Sequence, residues 1–303
     1  MEICFLERNY TGEQGNSGGR GRQRAHVILC TVLRSALICH AGDDLNRIGL
    51  ARWLASFTNL VGIVELHETG GRLRRRMQRE IRRSGWLRFL DITAFRVYYQ
   101  FALAAKDVAW VSQCMAELTA RYPPLPDSLP VLPIASANSA DNEDFLKRVA
   151  PDMVIARCKQ MLKPRIFNIP ALGTYVMHPG VCPEYRNAHG CFWALANGDL
   201  GRVGMTLLRI DEGVDTGPVY GYFEPQMDEV AESHIVIQHR TVFDNLDRIQ
   251  IKLEEIASGQ ATPLDTKGRE SRVWGQPWLT KYLAWKRAAR TRSLHASHHS
   301  AVP

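Results

Sequence analysis

The 303-residue sequence has no apolar run long enough to cross a bilayer, which takes about 18 residues or more, so no spanning helix is expected. It has no Cys-x-x-Cys pair. Its seven cysteines, an odd number, are scattered from Cys4 to Cys191. That argues against a disulfide framework or zinc site and for a reducing, cytoplasmic setting. It has no Gly-x-Gly-x-x-Gly fingerprint: the turn after the first strand reads His40-Ala-Gly-Asp-Asp-Leu45, so a dinucleotide site is not expected. His234 and His239 are five apart, the wrong spacing to align two metal ligands on one helical face. His295, His298 and His299 read as a disordered tail rather than a metal site.

What is present begins with charge. The net charge is +7, and Arg72 to Arg88 alone, with eight arginines against Glu80, accounts for that amount. The basic character is local and does not describe a protein coated in nucleic acid. Aromatic and apolar residues follow it: Trp86, Leu87, Phe89, Leu90, Phe95, Val97, Tyr98, Tyr99 and Phe101. A basic helix beside an aromatic one fits an anionic membrane surface or a phosphorylated substrate. The alternative is a solvated basic helix packed on the sheet, with the aromatics in the core or in a homodimer contact.

At 45% hydrophobic the chain can bury a substantial core. Residues 1–34 read as a disordered N-terminal extension, polar and glycine-rich to about Arg24. From Ser35 onward strand and helix patterns alternate. Ser35–Cys39 reads as the first strand. Asp44 is the expected cap of a helix over Leu45–Phe57, and Leu60–Leu66 reads as the second strand. The basic and aromatic excursion covers 70–121, and a proline-rich linker, Tyr122–Pro130, ends it. Strands follow at Val131–Ile134 and Pro151–Ala156, with a helix at Asp144–Val149 between them. Glu232–Ser258 reads as helical. Trp274, Trp278, Tyr282 and Trp285 mark a packed or partner-contacting segment within 259–303, whose end reads as disordered. The alternation implies one α/β domain over 35–258, a mostly parallel sheet with helices on both faces and the basic helical insertion.

The chain is organised around Gly173–Tyr220. An apolar run, Thr174–Met177, delivers His178 into a loop holding Pro179 and Pro183 and ending at Tyr185-Arg186. A helix-like run, Cys191–Asn197, follows. A strand, Val203–Ile210, then leads to Asp211 and a tight Gly-Val-Asp-Thr-Gly turn carrying Asp215, before a last strand at Val219–Phe223. Strand ends feeding polar loops are where open α/β sheets place their chemistry. A histidine and a carboxylate meeting there could serve a developing oxyanion or relay a proton. The bland alternative is a turn-capping histidine and an Asx-turn aspartate.

This stretch resembles the formyltransferases that use 10-formyltetrahydrofolate, among them the glycinamide ribonucleotide, methionyl-tRNA and amino-sugar enzymes. The family pattern is Asn-x-His, a proline-containing loop ending near Tyr-Arg-Gly, a Trp-Ala-Leu-x-Asn-Gly-Asp helix, and Asp-x-Gly-x-Asp-Thr-Gly. His178, Pro183, Tyr185, Arg186, Trp193, Asn197, Asp199, Asp211, Gly213, Asp215 and Gly217 fall in order on it. The likeness extends more weakly from about Ser35 to Ser258. It implies a Rossmann-like formyltransferase fold and 10-formyltetrahydrofolate as formyl donor. His178 and Asp215 would be catalytic. Arg157, Cys158, Met161, Asp211 and Gly213 would face the donor, and Pro183, Tyr185, Arg186 and Asn187 the acceptor. No metal is required.

Two positions depart from the pattern. Val176 stands where the family has an asparagine that helps hold the formyl oxygen, and valine has no donor. A backbone N–H, Thr174 or Asn187 could supply one. Asn187 replaces the usual glycine after Tyr-Arg. The His-Pro-Gly form of the loop most resembles branches acting on amino sugars or specialised metabolites, so a small-molecule amine is the expected acceptor and no nucleic acid is expected. The alternatives are a binding protein whose catalysis has decayed through Val176, or a hydrolase releasing formate from the same donor.

Overall fold

Strand β1 (Arg34–His40) is apolar from Ala36 to Cys39, and its side chains alternate between two cores. Leu37 and Cys39 enter one, and Ala36 and Ile38 the other. A strand buried on both faces belongs at the centre of a doubly wound sheet. The computed structural model, which describes residues 32–67 and 85–299, places it there. Strands β2 (Asn59–Leu66), β3 (Val131–Ile134), β4 (Met153–Arg157), β5 (Gly173–His178), β7 (Met205–Arg209) and β8 (Val219–Phe223) complete a seven-stranded sheet of order β3-β2-β1-β4-β5-β7-β8. The pairs from β3 through β5 are parallel; β7 pairs antiparallel with β5 and with β8. The mostly parallel sheet read from the sequence is therefore present. Of the basic helix, Arg72 to Arg83 lie outside the described residues.

One face of the sheet is covered by α1 (Ala51–Phe57), α3 (Ala104–Arg121), α7 (His234–Phe243) and α8 (Leu246–Ala257). The other carries α4 (Ala140–Val149) and the short α5 (Pro164–Phe167). Helix α4 begins where Ser139 accepts from the Asn142 N–H at 3.3 Å, with Asp141 and Glu143 in its first turn and Lys147 and Arg148 in its last, each on the favourable end of the helix dipole. The cap expected at Asp44 is not made. Asp43 takes that role, accepting from the backbone and side chain of Asn46, while Asp44 pairs with Arg47 at 2.8 Å. The run Glu232–Ser258 is two helices, parted where the Asn245 amide donates to the carbonyls of Glu224 and Thr241.

A third core lies away from the sheet. Helices α2 (Trp86–Ala102), α6 (Gly190–Ala196) and α9 (Leu279–His299) meet there around Phe95, Phe192, Trp193, Tyr282 and Trp285. Phe95 and Tyr282 stand 5.2 Å apart, and Asp91 of α2 accepts from Thr280 N–H at 3.0 Å. Lys286 anchors α9. It is 8% exposed and donates to the carbonyls of Glu229, Val230 and Glu232. Burial pulls its pKa down to about 8. Beyond it lies the buried Asp107, raised by burial and held by Ser233 at 2.7 Å and Tyr99 at 2.9 Å. Lys286→Met leaves three carbonyls without their ammonium, each a buried acceptor. It should lower unfolding stability by about 2–4 kcal/mol in urea denaturation; an unchanged midpoint would show that α9 does not hang on this contact.

Candidate active site

Along β5 the pleat sends Val176 and His178 to one face and Tyr175 and Met177 to the other core. His178 is the last residue of the strand and is 4% exposed. Its Nε2 lies 2.9 Å from the Tyr185 carbonyl. A carbonyl only accepts, so Nε2 carries the proton in this arrangement. Its Nδ1 faces the Asp215 carboxylate at 3.4 Å. The loop between them is tight. A side chain at Gly180 would come within 2.4 Å of the Tyr185 carbonyl oxygen and 2.8 Å of the Gly190 backbone, so glycine is what lets the two ends of the loop close over the imidazole.

Strand β7 runs antiparallel to β5, pairing His178 with Thr206 and Tyr175 with Arg209. Its end is thus remote from His178, and the following loop must fold back to deliver Asp215. Asp211 braces that loop by accepting from Gly213 N–H at 2.9 Å and Thr216 Oγ1 at 2.8 Å. Asp215 itself adopts φ 51° and accepts from the Asn187 N–H at 2.7 Å. Arg186 donates to the Val214 carbonyl at 3.0 Å. Asn187 (φ 78°) and His189 (φ 55°) also occupy the left-handed region. Three such non-glycine residues around one histidine is a concentration of backbone strain of the kind found at functional sites.

A segment far along the chain fastens this loop. β6 (Arg186–Asn187) pairs in parallel with β9 (Val273–Trp274). Arg272 N–H donates to the Pro183 carbonyl, and Arg186 N–H to the Arg272 carbonyl, both at 3.1 Å. Trp274 Nε1 donates to the Glu184 carbonyl at 2.8 Å, and Asn187 Nδ2 donates to the Trp274 carbonyl. The Trp274 ring stacks on Tyr185 at 5.7 Å and Trp193 at 4.8 Å. Arg269 grips Glu184 through two hydrogen bonds. The sequence signal for this clamp was the tryptophan cluster alone, which names no target.

The remaining expected site residues divide. Tyr185, Arg186, Asn187 and Asp215 gather around His178, with Pro183 in the same loop. Tyr185 turns its hydroxyl away, to Asp199 at 3.0 Å. Arg157 is not a solvated loop charge. It ends β4, donates to Asn46 Oδ1 at 2.9 Å and to the Met177 carbonyl, and burial lowers its pKa from the usual guanidinium value. The Cys158 thiol donates to the Gln160 carbonyl and is pushed up to about 11 by burial; Met161 is 59% exposed. Among the described residues no hydrogen bond or ion pair joins the 157–161 segment to the Asp211–Gly217 loop. Val176 packs with Cys182, Leu208, Val219 and Tyr222. Thr174 is engaged with the Phe167 carbonyl at 3.0 Å and Asn187 as above, so neither side chain reaches over Val176. Burial raises the Cys182 thiol strongly, which disfavours its thiolate.

Three further histidines are enclosed by aromatic side chains or turns: His234 and His239, set aside as metal ligands, and His189, which the sequence did not single out. His189, just before α6, and His234, opening α7, have ring centroids 5.9 Å apart. Phe95, Phe192 and Tyr282 surround His234. His239 stacks on Trp110 at 5.9 Å. Each buries an Nδ1 with no hydrogen-bond partner. Burial lowers His189 and His239 to about 4 and His234 well below its usual value, with Lys159 and Arg96 adding to the effect on His189.

A buried histidine faced by a loop carboxylate, at a strand end of a doubly wound α/β sheet, defines the class of site. Residues 118–245 match the family model described as formyl transferase, and this stretch contains both groups. That match covers less than half of the chain. The chain is similar to the methionyl-tRNA formyltransferase of Kosmotoga olearia, 37% identical over 92 residues that make up 30% of this chain and 29% of that protein. With the methionyl-tRNA formyltransferase of Thermotoga sp. (strain RQ2) it shares 29% identity over 128 residues, 42% of this chain and 37% of that one. The chain thus matches well under half the length of these curated relatives. Among solved structures it is similar to a phosphoribosylglycinamide formyltransferase from Anaplasma phagocytophilum (TM-score 0.49, 12% identity, 82% of this chain and 100% of that one). It is also similar to a 4-N formyltransferase from Francisella tularensis (TM-score 0.48, 12% identity, 85% and 87%). Likeness at that identity says nothing of a substrate.

The buried histidines make stability depend on pH. Unfolded imidazoles protonate near pH 6.5, the folded ones only near pH 4 or below. Unfolding therefore takes up protons between those values, and stability falls as pH drops from about 6.5 toward 4. Urea unfolding should show a loss of at least about 2 kcal/mol over that window. His234→Phe, which suits the aromatic surroundings, should reduce the slope. A stability flat from pH 7 to about 4.5 would contradict the burial of neutral imidazoles.

Proposed function

We propose that the protein transfers a formyl group from 10-formyltetrahydrofolate to the amine of a small molecule. The observation that carries this is the buried His178, facing Asp215 at 3.4 Å inside the formyl transferase segment. The donor, when bound, supplies an activated formyl group. His178 Nε2–H is the group that would donate to the formyl oxygen as charge develops there. In the structure that proton is held by the Tyr185 carbonyl, so this carbonyl must release it when the ligands enter. Asp215 fixes the ring from the Nδ1 side and is the base, directly or through water, for the proton leaving the amine. Its second contact, to Asn187 N–H, couples its position to the acceptor loop.

The residues fit a folate donor in two respects. Arg157 is a half-buried cation whose described hydrogen bonds go to Asn46 and to the Met177 carbonyl, and a guanidinium has five donors to satisfy. Met161, four residues on, has an exposed side chain of the kind that packs on a planar ring. Arg157, Cys158, Met161, Asp211 and Gly213 would border the donor, and Pro183, Tyr185, Arg186 and Asn187 the acceptor. An acceptor of amino-sugar or specialised-metabolite type is favoured because the acceptor loop is pinned against Arg272 and Trp274, which leaves little freedom to admit a macromolecule. Methionyl-tRNA, named for the curated relatives, is the competing acceptor. A weakened, ligand-binding protein is the second reading. It is favoured by Val176, whose apolar packing offers no donor where the family pattern has an amide.

Calorimetry with 5-formyltetrahydrofolate, a stable analogue of the donor, should give binding at micromolar strength, about −8 kcal/mol, weakened in His178→Ala. No binding up to millimolar concentration would sink the folate reading. Val176→Asn should raise the formyl-transfer rate about tenfold or more, despite the cost of an amide among apolar neighbours. A fall from a robust wild-type rate would show instead that valine belongs to a differently built site.

A further inference from the structure

His178 and Asp215 are each held by a neighbour from the same loop. Tyr185 reaches the histidine, its carbonyl accepting from Nε2 at 2.9 Å. Asn187 reaches the carboxylate, its N–H donating to Asp215 at 2.7 Å. Arg186 alone separates the two in the chain. The loop has little regular structure of its own. β6 is two residues long, and Asn187 sits at φ 78°, where a non-glycine residue needs outside support. Trp274 supplies support to both residues. Its ring stacks on Tyr185 at 5.7 Å, with the planes 17° apart. Its Nε1 donates at 2.8 Å to the carbonyl of Glu184, the residue before Tyr185. Its carbonyl accepts from Asn187 Nδ2, and it pairs with Asn187 across β6 and β9.

Trp274 is itself fixed from behind. The Trp193 ring stacks on it at 4.8 Å, and Trp193 Nε1 donates to the Gly275 carbonyl at 2.9 Å. His178 and Asp215 both lie within residues 118–245, the stretch that matches the family model; Trp274 lies outside it. We propose that Trp274 is a positioning residue for the His178–Asp215 pair, acting through Tyr185 and Asn187, so that the site is complete only with a segment beyond the family stretch. The inference rests on the reading of that pair as the catalytic one. Without the indole, the Tyr185 carbonyl is no longer held against His178 Nε2, and the Asn187 N–H is no longer held against Asp215. The imidazole proton then opens to water, and the carboxylate loses its fixed direction. A merely structural role, packing the third core, is the competing account. Trp278 belongs to that core and meets Trp193 edge-on at 5.1 Å, but among the described residues it makes no ring contact or hydrogen bond to residues 183–187.

The test follows the His178 Nε2 proton by NMR in the full chain carrying isotope-labelled histidine, its signal assigned by loss in His178→Ala. Buried and bonded to a carbonyl, this proton should exchange slowly with water in the wild type. Trp274→Ala should speed the exchange at least about tenfold. Trp274→Phe keeps a ring against Tyr185 but loses the Nε1 donor, and should speed it about threefold. Trp278→Ala removes a ring from the same core and should stay within about twofold of the wild type. Exchange unchanged in Trp274→Ala, or speeded as much in Trp278→Ala, would overturn the proposal. So would a wild-type proton that exchanges too fast to be seen. Should Trp274→Ala not fold, the Phe variant decides, and a wild-type rate there overturns the proposal. The readout needs neither donor nor acceptor. Its failure leaves the formyl-transfer reading standing, and absence of folate binding would sink that reading without changing this exchange.

Discussion

One carboxylate ties the site together. Asp215 accepts the Asn187 N–H at 2.7 Å and faces His178 at 3.4 Å, joining the Pro183–Asn187 loop, the end of β5 and its own turn. Both Asp215 and Asn187 make that contact from a left-handed backbone. Left-handed backbone costs a non-glycine residue roughly 1–2 kcal/mol. A hydrogen bond to a charged group returns a similar amount, so the arrangement holds only while the carboxylate is in place. Asp211 serves the same end one step removed, because its bonds to Gly213 and Thr216 set the turn from which Asp215 points.

The need for such a turn comes from the sheet. The parallel strands β1, β4 and β5 all end on one edge, and His40, Arg157 and His178 stand together there. Strand β7 enters antiparallel, so its own end lies at the opposite edge. Asp215 reaches His178 only because the loop returns along the sheet. That return brings Val214 to Arg186, and the acceptor loop becomes part of the structure that holds the carboxylate.

The fold was largely legible because its strands are runs of apolar, often β-branched residues, which only a doubly covered sheet can bury. His178 and Asp215 were legible through the order of the motif, not through spacing, since nothing local says that residues on antiparallel strands will meet. Arg157 reads as a loop charge until its neighbours Asn46 and Met177, each from another element, are known. The β6–β9 clamp joins residues almost ninety positions apart, and two-residue strands leave no periodicity to detect. The burial of His189 and His234 was not legible for a related reason: the aromatic surroundings of His234 come from α2, α6 and α9, and no single stretch of sequence contains them.

That third core also connects the acceptor loop to the outer helix through touching rings. Tyr185 stacks on Trp274, Trp274 on Trp193, and Trp193 meets Trp278 edge-on at 5.1 Å, with Arg88 of α2 above it. Continuity of this kind is not by itself coupling. A stack changes state only by giving up ring contacts worth about 0.5–1.5 kcal/mol each, and the Glu184 and Asn187 hydrogen bonds to Trp274 would go with them.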